Sequence, residues 1–139
     1  MEYKEKIKWL RSYLESQKSE RALVLELERL RSEAERITPV LSAAPGGGGN
    51  QGSIPGVVER IDRVRKQLTD AIETGLDIRK KIAEVVEKVQ DVQQQEILRR
   101  RYLVGQRWDD IAMEMRLTRR WVMKIHRKAV EKLKIEFEE

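Results

Sequence analysis

Residues 105–133, GQRWDDIAMEMRLTRRWVMKIHRKAVEKL, decide the fold that we expect, because they predict two short helices joined by a tight turn. In the first helix, expected over 108–115, Ile111 and Met115 lie four residues apart on one face. Thr118 is a favourable N-cap for the second helix. The buried side of this second helix is expected to carry apolar residues three and four apart, namely Val122, Ile125, Ala129 and Leu133.

The turn between these helices is expected at Arg116-Leu117, and the small Ala112 lies where the two helices must approach most closely. A short helix, a tight turn and a basic second helix are together typical of a helix-turn-helix that binds DNA. We predict that six residues form the core of this motif: Ile111, Ala112, Met115, Leu117, Val122 and Ile125.

The positive charge of the chain is concentrated in the same region. The net charge is +5, and residues 97–139 contain 12 Lys and Arg against 7 Asp and Glu, whereas residues 1–96 contain 17 of each. A basic segment next to a neutral one favours a polyanionic partner, here double-stranded DNA. A basic face that is merely well solvated is the alternative.

Composition disfavours several classes of protein. The chain has no cysteine and a single histidine, His126, so we predict neither a metal site nor a Ser-His-Asp triad. Asp109 and Asp110 point about 100° apart on a helix, which favours a role at the positive end of the helix dipole over acid-base chemistry. We therefore expect no enzyme activity and no cofactor. Without a long apolar run or a signal peptide, a cytoplasmic protein that does not bind membranes is expected.

Residues 1–90 are predicted to form two long amphipathic helices, with the first in segment 1–44, a Gly-rich connector at 45–56 and the second at 57–90. The first helix is expected to end near Thr38-Pro39, because the residue before proline disfavours helical geometry. Its apolar stripe is Tyr3, Ile7, Leu10, Leu14, Leu23, Leu27, Leu30, Ala34 and Ile37. The second stripe is Ile61, Val64, Leu68, Ala71, Gly75, Ile78, Ile82, Val85, Val89 and Val92.

Two stripes of this length predict a long antiparallel helical hairpin, a coiled coil, since neither helix is expected to be stable alone in water. The connector also permits the stripes to pair between two chains instead of within one. The connector lacks the preceding strand and the Gly-Lys-Ser/Thr of a phosphate-binding loop, so we interpret it as a flexible linker.

Residues 91–139 are predicted to form the C-terminal helix-turn-helix domain of an all-α protein, beginning with a helix over 92–103. Asp91 with Gln94 resembles a capping box at its start, and Gly105 follows its end as a C-cap glycine. The inward side of this helix is expected to carry Ile97, Leu98, Tyr102 and Leu103, and the outward side Arg99, Arg100 and Arg101.

Residues 97–133 resemble region 4 of sigma-70-type factors, the part that reads promoter −35 elements. The shared features are the Tyr-Leu before Gly105, the aromatic Trp108 and the acidic pair before Ile111-Ala112. With its two long helices, connector and C-terminal motif, the whole chain also resembles the RinA/ArpU-like late-transcription regulators encoded in prophages of Gram-positive bacteria.

The resemblance implies a recognition helix over 118–133 that lies in the major groove and reads bases with its N-terminal residues. We expect base reading by Arg119, Arg120, Met123 and Lys124. Arg120 and Lys124 stand where the family often has Glu and Gln, so the target is expected to contain guanines and to differ from a −35 element. Phosphate contacts are expected from Thr118, Arg127, Lys128, Arg99, Arg100 and Arg101.

Two positions depart from the sigma pattern. Arg116 replaces the usual turn glycine, at a modest cost in left-handed geometry, and Arg107 replaces the usual Ser/Thr cap. The ambiguous residue is Trp121, which we expect to pack on the preceding helices. The alternative is that its indole lies on the sugar-phosphate edge of the DNA.

These features predict a sequence-specific transcription regulator of phage or prophage origin that acts in the cytoplasm of a bacterial host. It is expected to bind double-stranded DNA near a promoter, to recruit the host RNA polymerase and to form a homodimer through its hairpin. A phage DNA-packaging recognition subunit, similar to a small terminase, is one alternative, although those proteins usually place the DNA-binding motif first. A coiled-coil adaptor whose basic end binds an acidic partner is the other.

Overall fold

The computed structural model describes residues 1–43 and 54–135, which are all-helical without β-strands. The all-α class expected from the sequence is confirmed for these residues. Most of the Gly-rich connector, and the acidic residues Glu136, Glu138 and Glu139, lie outside them. A π-helical turn, Arg100–Val104, follows the third helix. The helices are α1 (Tyr3–Ala43), α2 (Ile54–Glu87), α3 (Val92–Arg99), α4 (Trp108–Met115) and α5 (Arg119–Lys132).

The chain divides into two compact units. The first comprises Met1–Ser16 and Gly75–Glu139, and the second comprises Gln17–Thr74. In the second unit, α1 and α2 pack through Leu27, Leu30 and Val64. These three residues belong to the predicted stripes, and burying each contributes about 1.5–3 kcal/mol.

The first unit has a larger core that joins the beginning of α1 to the end of α2 and to α5. Tyr102, from the π-helical turn, is its largest fully buried side chain. The core consists of Leu10, Ile82, Val86, Leu98, Tyr102, Ala129, Val130 and Leu133.

The end of α2 departs from the predicted stripe. Val86 is fully buried although the stripe omitted it, and Val92 is 76% exposed although the stripe included it. Val92 is exposed because α2 ends at Glu87, so the helical spacing of α2 does not continue into Val92. The side-chain amide of Gln95 donates to the carbonyls of Val86 (3.4 Å) and Glu87 (3.2 Å), which satisfies acceptors that a helix end leaves open.

Of two other expected helix boundaries, the end of α1 was wrong and the start of α3 was correct. The expected end of α1 near Thr38-Pro39 was wrong, because α1 continues to Ala43; an interior proline removes one helical hydrogen bond and can kink a helix without ending it. At the start of α3, the carboxylate of Asp91 accepts the backbone N–H of Gln94 at 2.9 Å, which is one of the two bonds of the predicted capping box.

The helix expected over 92–103 changes to π geometry in its last turn. There the backbone N–H groups of Gly105 and Gln106 both donate to the carbonyl of Arg100, at 3.0 and 2.9 Å. Gly105 has φ 88° and is the predicted left-handed C-cap. A Cβ atom at this position would lie 3.3 Å from Cδ2 of Leu14, so both conformation and space favour glycine.

Candidate nucleic-acid interface

Helices α4 and α5 share one buried cluster with α3. Ile97 of α3 is fully buried in it, and Trp108, at the start of α4, packs against it. Of the six residues predicted for the motif core, four are buried here and two are partly buried against the cluster. The buried ones are Ile111, Ala112, Val122 and Ile125, and the partly buried ones are Met115 and Leu117.

The turn between α4 and α5 has the predicted bounds. Arg116 adopts left-handed geometry, with φ 57° and ψ 42°, and its N–H and that of Leu117 bond back to the carbonyls of α4. Thr118 is the N-cap of α5, and its hydroxyl oxygen accepts the backbone N–H of Trp121 at 3.1 Å. Arg107 caps α4 without a side-chain hydrogen bond, as expected. The start of α5 is thus fixed relative to α4 by backbone geometry.

The outer side of α5 is strongly basic. Six cations of this helix are exposed, whereas Glu131 is its one acidic residue. The cations are Arg119, Arg120, Lys124, Arg127, Lys128 and Lys132.

The four residues predicted to read bases all lie on this exposed side. Arg120 and Lys124 have no hydrogen-bond or ion-pair partner among the described residues. Arg119 forms an exposed ion pair with Asp109 of α4, with 3.4 Å between Nη1 and Oδ1. Met123 is 39% exposed. The structure therefore brings these residues together on the first turns of α5.

The residues predicted to contact phosphate fall into two groups. Arg99, Lys128, Thr118 and Arg127 are exposed. Arg127 is held by an ion pair with Glu131 (3.0 Å) and by the ring of Tyr3, whose centroid lies 5.3 Å away. The hydroxyl hydrogen of Thr118 is still available to a phosphate, because capping uses its oxygen as an acceptor.

Arg100 and Arg101 form the second group, and both are engaged within the protein. Arg100 pairs with Glu96 and with Glu114 of α4, and the hydrogen bond to Glu96 is the main cause that raises the pKa of Arg100. Arg101 stacks on Trp108, 4.5 Å from the ring centroid, and donates to the carbonyl of Gln106 at 3.0 Å. Burial lowers the pKa of Arg101. These contacts indicate a structural role for the two side chains.

The expectation that Trp121 packs on the preceding helices was wrong. Its side chain is 51% exposed and belongs to none of the buried clusters of the described residues. Sequence spacing alone did not settle this, because Trp121 precedes the buried Ile125 by four residues.

Sequence reasoning missed the place of His126, which is 3% exposed. Its Nε2 lies 2.6 Å from the hydroxyl of Tyr102, and its ring meets Trp108 edge-on at a centroid distance of 4.7 Å. Burial lowers the pKa of His126 to about 4 and raises that of Tyr102 to about 12. The missed signal was its position, four residues after Val122 and four before Val130 on an apolar side.

The described residues contain no cluster of His, Cys, Asp or Glu that could hold a metal ion. None of the helices in residues 1–43 and 54–135 combines the length and apolar character needed to cross a membrane. Comparison of the chain with protein-family models, curated proteins and solved structures found no match.

Proposed function

We propose that α4, the turn and α5 form a helix-turn-helix that reads double-stranded DNA, and that the chain is a sequence-specific transcription regulator. The observation that carries this proposal is the division of α5 into two sides. On its inner side, Val122 packs in one buried cluster with Ile111 of α4, whereas its outer side exposes six cations. A helix whose apolar side packs on its neighbours and whose exposed side is basic is suited to the major groove.

Arg120 and Lys124 are the proposed determinants of sequence preference. Their side chains are exposed without partners in the described part of the chain, so binding a base requires no internal contact to be broken. The guanidinium of Arg120 can donate to both O6 and N7 of guanine. The Arg119–Asp109 pair is exposed and worth at most about 1 kcal/mol, so DNA can displace Asp109.

The proposal extends to α1 and α2 as an antiparallel helical hairpin that mediates dimerisation. Its support is the packing of the two apolar stripes within each unit. Exposed apolar residues in the second unit, including Leu25 at 63% and Ile72 at 41%, could be covered by a second copy. A homodimer would present two recognition helices to half-sites about 34–36 Å apart.

The same proposal places the protein in the cytoplasm of a bacterial host, encoded by a phage or prophage, where it recruits RNA polymerase to a promoter. Recruitment of RNA polymerase rests on the resemblance of residues 97–133 to sigma region 4, and the phage or prophage origin rests on the resemblance of the whole chain to RinA/ArpU-like regulators.

The test is selection of bound duplexes from a random double-stranded DNA library with the full chain. One enriched motif is expected. Arg120→Ala should lose about 1–3 kcal/mol of discrimination at one base pair. Lys128→Ala should weaken binding to all sequences alike, and it should reduce by about one the salt slope, which is the steepness with which the logarithm of the binding constant falls with the logarithm of the salt concentration. Lys66→Ala, an exposed lysine of α2 in the second unit, is the matched control. The absence of any enriched motif would contradict the proposal and favour a coiled-coil adaptor.

Light scattering separates regulation from DNA packaging. A dimer, with or without DNA, agrees with the proposal. A ring of many subunits that selects a phage packaging site would instead assign the chain to DNA packaging.

A further inference from the structure

A cleft of about 720 Å³ lies in the first unit, between the end of α2, the start of α3 and the end of α5. This volume falls in the usual range of ligand sites, about 300–1,000 Å³. Its apolar wall combines the half-buried Val85 and Val89 with Ala129 and Leu133. The valines are thus accessible to a ligand although both belong to the second apolar stripe predicted from the sequence.

The rim of the cleft is basic. Lys88, Lys132 and Lys134 line it and are exposed, and each ammonium group offers three donors and no acceptor. Asp91 is the one carboxylate among the described lining residues, and it already accepts the backbone N–H of Gln94. The charge of the lining therefore complements an acidic ligand.

The backbone beside the cleft favours a peptide as this ligand. After α5 the chain leaves the helix at Leu133, which has extended geometry with φ −62° and ψ 132°. The backbone N–H and carbonyl of the adjacent Lys134 have no hydrogen-bond partner in the described part of the chain. An extended segment can pair with such groups while its side chains occupy the pockets beside them.

We propose that this cleft binds a short segment of a partner protein in which an apolar side chain is flanked by Asp or Glu. The apolar side chain packs on Val85, Val89 and Leu133, and the flanking carboxylates pair with Lys88 and Lys132. DNA fits the cleft less well, because a phosphate backbone offers no apolar group for the valines. The inference goes beyond the proposed function and does not depend on it.

The test is titration of the full chain with the synthetic peptide acetyl-Glu-Glu-Leu-Glu-Glu-amide, followed by methyl NMR. Saturable shifts are expected at Val85, Val89 and Leu133. The same peptide with Gly in place of Leu should bind about tenfold more weakly, since it buries no apolar side chain. Lys88→Glu and, independently, Lys132→Glu should each weaken binding by about tenfold, whereas Lys66→Glu on α2 should leave it unchanged.

Four outcomes would overturn the proposal. The first is the absence of saturable shifts, and the second is equal binding of the Leu and Gly peptides, which would indicate charge attraction alone. The third is a DNA duplex that shifts the same three methyl groups. The fourth concerns residues 136–139, Glu-Phe-Glu-Glu, which have similar chemistry. The comparison is between the full chain and a chain that ends at Ile135, both without peptide. If the signals of the same three residues differ between the two, the occupant of the cleft is the chain's own tail and not a partner.

Discussion

The hydroxyl of Tyr102 lies 2.6 Å from Nε2 of His126, and both side chains are almost completely buried. This contact ties the π-helical turn to the middle of α5, directly behind the exposed cations. Nδ1 of His126 is buried without a partner among the described residues. Burial, and secondarily the charge of Arg101, lowers the pKa of His126 to about 4. Protonation of this histidine would therefore oppose folding.

The first prediction concerns pH. An unfolded histidine has an ordinary pKa of about 6.5, so between this value and about 4 the unfolded state binds more protons than the folded state. The free energy of unfolding should consequently fall as the pH drops through this window, by up to roughly 3 kcal/mol. Urea unfolding across the window measures the fall. His126→Gln should be less stable at neutral pH but should lose this part of the slope; parallel curves for both proteins would contradict the assignment.

The second prediction uses the two residues with positive φ, Gly105 and Arg116. Arg116→Gly should raise the free energy of unfolding by about 1 kcal/mol, because glycine adopts left-handed geometry without the steric cost that a Cβ carries. Gly105→Ala should lower it by about 1–2 kcal/mol, since the new Cβ is both strained and close to Leu14. Urea unfolding measures both. Arg116→Ala is the control and should show no comparable gain; stabilisation by Ala equal to that by Gly would rule out the conformational explanation.

Local signals predicted the helix ends around the candidate interface. The caps Asp91 and Thr118, and the left-handed position at Gly105, act through neighbouring backbone groups, so sequence spacing suffices to find them. The bounds of α4 were predicted without such signals, since Arg107 makes no capping side-chain hydrogen bond and Arg116 stands in place of a turn glycine. Periodicity likewise placed the inner side of α5, because each burial position repeats every three or four residues.

Features that depend on contacts across the fold were not predicted. The π-helical turn was also missed although it is local, because no periodicity indicates that the N–H groups of Gly105 and Gln106 both donate to the carbonyl of Arg100. The polar His126 is buried because Tyr102 satisfies Nε2, 24 positions earlier in the chain. The engagement of Arg100 with Glu114 likewise requires α4 to be in place.

The third prediction separates the adjacent arginines Arg99 and Arg100, and it rests on the proposed DNA binding. Arg99 is exposed. Arg99→Ala should therefore leave thermal stability unchanged and reduce by about one the salt slope, the dependence of log binding constant on log salt concentration. Arg100 is paired with Glu96 and Glu114 at 27% side-chain exposure. Arg100→Ala should therefore lower the free energy of unfolding by about 1 kcal/mol, with little effect on the salt slope. The opposite pattern would place Arg100 at the DNA.

The fourth prediction concerns Trp121, whose exposed indole has no role in the buried clusters. If α5 lies in the major groove, this ring is close to a DNA strand, and its N–H can donate to a phosphate oxygen. Adding the selected duplex should quench part of the tryptophan fluorescence, and Trp121→Phe should abolish this quenching. Loss of the N–H should also weaken binding by roughly tenfold.

Trp108 supplies the control for this experiment, because it packs between Arg101 and His126 and should respond little to DNA. Quenching that persists in Trp121→Phe would have to come from Trp108 or Trp9. A duplex that binds tightly without any change in fluorescence would place Trp121 outside the interface. The recognition helix would then have to approach DNA through Arg120 and Lys124 with its Trp121 side turned away from the strand.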